Sequence, residues 1–229
     1  MFSLPLTRRQ LLSATALLAL AGSGAYLLPP LTIPATADDT VAPADLAQAG
    51  PSGDIVLGSG KAPVTVIEYA SMDCPHCAHF ATTTYPELKK RYIDTGKVRY
   101  IFREFPLHQI ALAGSMLARC AYENDKTAGG DKYMAIVEAL FANQANWVVE
   151  APLQPLGALA KQFGFTDQSF KDCLSNQKLE EDILAVRDHG VEKLGVNSTP
   201  TFFINGKKLV GDVSIDQMAK EIDPYLKEG

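Results

Sequence analysis

The sequence predicts an α/β fold: a mixed β-sheet into which a block of helices is inserted. Three observations carry that reading. Residues 63–70, PVTVIEYA, and 98–105, VRYIFREF, are short apolar runs rich in β-branched and aromatic residues, as buried strands are. A helix-length crossover separates them, which makes the two strands parallel. Residues 199–211, TPTFFINGKKLVG, place Asn205 and Gly206 between two short runs, as a type I′ hairpin requires, so the last strands are antiparallel.

The first 37 residues read as an export signal rather than as part of the fold. Arg8 and Arg9 precede a nearly uncharged stretch from Leu11 to Leu28, and Ala35, Thr36 and Ala37 form an A-x-A cleavage pattern. TRRQLL resembles a twin-arginine signal but has Leu11 where that signal usually has Phe. The apolar run is long enough to allow an uncleaved anchor, although Gly22, Ser23 and Gly24 weaken it as a span. A cleaved, soluble form is the expectation. Either way the domain sits outside a reducing cytosol, in the periplasm, where disulfides persist. Loss of Arg8 and Arg9 takes the formal net charge from −5 to −7, and an acidic surface argues against nucleic acid as a partner.

Residues 38–53, DDTVAPADLAQAGPSG, show no apolar period and read as a flexible linker, so the folded domain is expected over 54–229. A mature chain of about 190 residues can bury one core without staples. After the first strand, CPHCAHFATTTYPELKKRYIDTG reads as a helix with Lys89, Lys90 and Arg91 towards its C-terminus and Gly96 as its stop. The second strand leads into amphipathic helices over about 110–194, then the hairpin, then a last helix with Ser214 as N-cap. No internal repeat and no phosphate-cradling glycine loop is present.

CPHC, at the strand-to-helix junction, is the main chemical feature. Cys74 falls at the helix start and Pro75 at the first helical position, where its missing N–H costs nothing. Unpaired backbone N–H groups, the helix dipole and His76 favour a thiolate at Cys74, and Cys77 lies one turn deeper within disulfide reach. The exposed thiol is expected to attack and the sheltered one to resolve. A zinc site would want four ligands, yet His108, His189, Cys120 and Cys173 are scattered singly. A permanent staple within one helical turn would remove little unfolded-state entropy. Redox chemistry is the preferred reading, with metal binding at Cys74, His76 and Cys77 as the alternative.

CPHC, FREFPLH, the helical block and TPTFFING together resemble the DsbA-like thiol:disulfide oxidoreductases over residues 54–228. The resemblance implies a thioredoxin-like fold with a helical insertion and a monomeric periplasmic enzyme without cofactor or metal. Such an enzyme donates its Cys74–Cys77 disulfide to exported proteins with free thiols and is reoxidised by a membrane partner. It makes Glu68, six residues before Cys74, a buried acid that moves protons for Cys77; an edge strand with Glu68 facing water is the alternative. It places Thr199 and Pro200 opposite the dithiol with a cis bond between them, where the Thr199 backbone docks an extended substrate. The family's best-known oxidase has Val before this proline, so Thr199 keeps a reductase or isomerase as the rival reading.

Cys120 and Cys173 are either small buried core residues or a second, structural disulfide; oxidising export and an even cysteine count favour the bridge. Trp147 and Phe141 read as insertion core, Glu180, Glu181 and Asp182 as helix-start charges, and His108 as a turn residue.

Overall fold

The computed structural model describes residues 40–124 and 130–227. The expected export signal and the first two linker residues lie outside the described residues. Both apolar runs form strands, β2 (Val64–Ala70) and β3 (Val98–Glu104), parallel in register from Val64 opposite Val98 to Ala70 opposite Glu104. The hairpin strands β4 (Thr201–Ile204) and β5 (Lys207–Val210) add antiparallel, and with β1 (Val56–Gly58) the five-stranded order is β1-β3-β2-β4-β5. Asn205 and Gly206 both take positive φ, 46° and 99°, the turn that their identities predict. Sequence reading missed β1 (Val56–Gly58), antiparallel to β3, because three residues are too few to show a period.

Between β2 and β3 the expected single helix is broken into α2 (Pro75–Thr83), α3 (Tyr85–Leu88) and a π-helical turn over Lys89–Ile93. Pro86 explains the break: it lacks an N–H and its ring crowds the carbonyl four residues back. The segment stops at Gly96, whose φ is 73°. The insertion comprises α4 (Gln109–Asn124), α5 (Gly130–Ala142), α6 (Gln144–Trp147), α7 (Leu153–Gln162), α8 (Asp167–Leu174) and α9 (Gln177–Leu194). Ser214 and Gln217 form a capping box at the start of α10 (Ile215–Leu226).

Strand alternation sorts side chains onto two faces. Val64, Val66, Tyr100 and Phe102 join the larger core with Trp147, Phe141 and most of the insertion, whereas Ile67, Tyr69, Ile101 and Phe203 build a smaller one with Leu46, Val186 and Leu194. With both faces covered, the parallel strands need no polar alternation.

The linker expectation is corrected over residues 40–53. This stretch carries α1 (Pro43–Ala47), buries Leu46, and bridges β5 through Thr40 opposite Lys207. Composition failed as a guide because its anchors are backbone carbonyls met by buried cations. Arg103 donates to Leu46 O at 2.9 Å and pairs with Asp54, while Arg119, held by Glu104, donates to Gly53 O at 2.9 Å. Gly50 lies so close to α9 that a Cβ there would meet Val186 Cγ2 at 2.1 Å. Asp182, near the start of α9, is buried and accepts from Ser52 Oγ at 2.6 Å, which adds a further anchor for this stretch. The folded domain therefore begins by residue 40 rather than 54. No helix among the described residues is long and apolar enough to cross a membrane.

Candidate active site

The C-terminal end of β2 delivers the chain to a tight turn in which the Cys74 N–H donates to Ser71 O at 3.1 Å. Cys74 keeps extended backbone angles as the N-cap of α2, and Pro75 occupies the first turn. Both thiols are free. Cys77 is fully buried, and Cys74 retains only 7 % exposure, less open than the sequence suggested. The Thr199–Pro200 loop accounts for that, with the Thr199 carbonyl 3.4 Å from Cys74 Sγ and a cis peptide bond between the two residues.

The surroundings separate the two thiols. The Cys77 S–H, donating to the Cys74 sulfur, is the largest influence holding Cys74 far below the ordinary thiol range, at about 5. Burial opposes it; the Thr199 side chain and the backbone N–H groups of Cys77 and His76 add to it. His76 contributes through its main chain, and its imidazole lies exposed. Burial pushes the Cys77 thiol strongly upward, and the charges of Cys74 and Glu68 push the same way. One sulfur is a stable anion at neutral pH and the other holds its proton.

Glu68 sits on the central strand, 2 % exposed, so the edge-strand alternative does not apply. Tyr100 on β3 donates its O–H to Oε2, and Oε1 is buried without a hydrogen-bond partner among the described residues. Desolvation raises the carboxyl to about 8; the Tyr100 bond works against this, and the Cys74 charge adds to it. Such a group can carry or release a proton near neutral pH.

A raised folded pKa carries a pH signature. The neutral acid is compatible with the fold below the unfolded value of about 4.3, and stability is lost as pH rises towards the folded value. Glu68→Gln, which never ionises, is therefore expected to stabilise the protein by roughly 3 to 4 kcal/mol at pH 7 and hardly at all at pH 4. Denaturant unfolding at the two pH values checks this; an equal effect at both would mean that ionisation of Glu68 is not what costs stability.

Three contributors escaped sequence reading. Tyr100 was legible in principle, since alternation with Val98 and Phe102 puts it on the face of Glu68. Gln144, the first residue of α6, donates from Nε2 to Met72 O at 2.9 Å and to Cys74 O at 3.0 Å, and nothing in its polar neighbourhood signals this. Asp73, next to the nucleophile candidate, accepts from Ser71 Oγ at 2.6 Å and pairs with His108 Nδ1 at 2.5 Å, so His108 is more than a turn residue. Cys120 on α4 and Cys173 on α8 are bonded, with Cα atoms 6.1 Å apart. Among the described residues no group of three or more His, Cys, Asp or Glu is placed to hold a metal ion.

A thioredoxin family profile matches residues 51–224. An inferred protein-disulfide oxidoreductase of Rickettsia conorii is 34% identical over 176 residues, 76% of this chain; the chain spans 61% of that relative's length. Disulfide bond formation protein D of Bacillus subtilis is 29% identical over 180 residues, covering 76% of this chain and 78% of that one. Among solved structures, α-DsbA1 of Wolbachia pipientis superposes with a TM-score of 0.72 at 31% identity, over 80% of this chain and 96% of that one. BdbD of Bacillus subtilis, in its oxidised form, superposes at 0.69 and 25% identity, over 82% and 99%. With the CPHC turn, the Thr199–Pro200 loop and the helical insertion all in place on this sheet, the chain belongs to the DsbA-like thiol:disulfide oxidoreductases of thioredoxin fold.

Proposed function

We propose that this chain is a periplasmic dithiol oxidase that donates the Cys74–Cys77 disulfide to exported proteins. The observation that carries the reading is the split between its thiols, Cys74 held at about 5 and Cys77 driven far upward by burial. In the oxidised enzyme a substrate thiolate attacks Cys74 Sγ, the Cys74–Cys77 bond breaks, and Cys77 leaves and takes a proton from Glu68. A second substrate thiolate then attacks the substrate sulfur of the mixed disulfide and expels Cys74. Two electrons pass to the enzyme, the substrate gains its disulfide, and Glu68 recovers a proton from solvent. The last step favours donation because a low-pKa thiolate leaves readily.

The other residues have supporting roles. Pro75 sets the first helical turn, and His76 presents its N–H to the sulfur and its exposed ring to an incoming chain. Thr199 offers its backbone beside Cys74 for an extended substrate segment, and Pro200, which has no N–H, leaves that edge unpaired on its own side. A membrane partner that withdraws the two electrons completes the cycle.

The relative stability of the two redox forms tests the direction of exchange. A depressed folded pKa gives stability that is fully present above the unfolded thiol value of about 8.5 and is lost as pH falls through the folded one. At pH 7 the two units above about 5 make the thiolate worth roughly 3 kcal/mol at most, and oxidation removes it. Closing so short a loop returns little chain entropy. The reduced protein is expected to be the more stable form in denaturant melts at pH 7, with the gap narrowing towards pH 5. An oxidised form that is clearly more stable indicates a reductase, and stoichiometric metal on reduced Cys74 and Cys77 after aerobic purification indicates a metal-binding module.

A further inference from the structure

The helical insertion supplies one side chain to the turn that carries Cys74. Gln144 uses both amide hydrogens there, one on Met72 O at 2.9 Å and one on Cys74 O at 3.0 Å. Both partners are carbonyl oxygens, so the amide can face them only with its nitrogen. The same two carbonyls bracket the change from turn to helix. Cys74 N–H returns to Ser71 O, and Cys74 O also accepts the Ala78 N–H, the first bond of α2, at 3.1 Å. Pro75 adds no N–H that could steady the intervening peptide. Met72 is fully buried, so its carbonyl cannot exchange Gln144 for bulk water. Loss of the clasp leaves that carbonyl to seek another donor by rotating its peptide plane, and Cys74 Sγ hangs from the Cα that borders the clasped Cys74–Pro75 plane, one peptide on from the clasped Met72–Asp73 plane.

We propose that Gln144 is a positioning residue for Cys74, its two-pronged clasp fixing the Met72–Cys74 turn so that the sulfur stays before the N–H groups of His76 and Cys77 and the Cys77 S–H. The ties on the other side of the turn are of a different kind. Ser71 Oγ accepts from Leu107 N–H and donates to Asp73, which pairs with His108, so they fix side chains and the β3–α4 loop rather than the carbonyls beside the sulfur. The insertion thereby reaches the backbone that carries the reacting sulfur. This rests on Cys74 being the reactive thiol of the proposed function, but not on the direction of exchange.

The test is a thiolate titration by absorbance at 240 nm on protein reduced at Cys74 and Cys77, with melting temperature recorded alongside. Gln144→Met keeps the length and apolar bulk but donates nothing; Gln144→Glu, when ionised, turns negative charge on the same carbonyls. The methionine variant is expected to raise the Cys74 midpoint by about one pH unit, a tenfold weaker acid, and the glutamate variant by more. Titrations that coincide with wild type overturn the proposal, even if melting temperature falls, because that is the behaviour of a merely structural contact. Should Gln144→Met fail to fold, Gln144→Asn, which withdraws the amide by one methylene, is read by the same two outcomes. Disulfide donation to a reduced peptide is measured on the same samples. Its absence from a wild type with an acidic Cys74 sinks the oxidase reading and leaves the clasp; an unmoved titration sinks the clasp and leaves the oxidase.

Discussion

Cys74→Ser is expected to abolish disulfide donation, a loss of at least about a thousandfold, to the uncatalysed background. The reason is chemical rather than steric. At pH 7 a thiol held at about 5 is almost wholly thiolate, whereas a serine hydroxyl in the same place is neutral and cannot form or leave a disulfide. Serine also fits the site, because the turn is fixed by backbone bonds to Ser71 and Ala78 that it preserves. Cys77→Ser should fail differently. Cys74 can still attack a substrate disulfide, but with no resolving thiol beneath it the mixed disulfide accumulates, and intact-protein mass spectrometry detects it. If Cys74→Ser instead accumulates an adduct on Cys77, the order of the two thiols is reversed and the assignment fails.

Loss of the second disulfide is expected to act on stability alone. The Cys120–Cys173 bond closes a loop spanning 53 residues, which by chain entropy corresponds to about 4 kcal/mol. For a domain of this size that is a fall of roughly 8 to 16 °C in melting temperature. Cys173→Ser and Cys120→Ser should each lose this amount, and the double variant little more, since either change opens the same loop. Disulfide donation at 25 °C should stay within about twofold of wild type, because neither residue is among the groups that set the Cys74 environment. Activity that falls in step with either cysteine, in protein that remains folded, rules out a purely structural bridge.

What could be read from the sequence depended on how local the cause was. PVTVIEYA and VRYIFREF announce strands because a strand covered on both faces needs an unbroken apolar run, and Asn205 with Gly206 announces its turn because few residues tolerate two positive φ angles. Cys74 to Cys77 was legible for the same reason, with Pro75 marking the helix start. The interruption at Pro86 was legible, since a proline within a helical run breaks it, but the run was read through as one helix. Gln144 was not in view at all: its partners are backbone carbonyls some 70 residues earlier, and a carbonyl has no sequence signature. The anchoring of residues 40–53 failed on the same count.

Arg103 and Glu104, neighbours on β3, point to opposite faces of the sheet, and each takes part in holding the chain's first described residues. Arg103 reaches Leu46 O and Asp54; Glu104 holds Arg119, which reaches Gly53 O. The ties from Arg103 and Arg119 to Leu46, Gly53 and Asp54 span 49 to 66 positions, and the one from Ser52 to Asp182 spans 130. A chain that emerges N-terminus first from a ribosome therefore presents residues 40–53 long before their partners exist. They must wait through the appearance of β2, the dithiol helix and β3, with Leu46 uncovered and its carbonyl on water. The earliest part of the domain to appear is among the last to be secured, and α1 closes over the smaller core only once α9 has arrived to meet it.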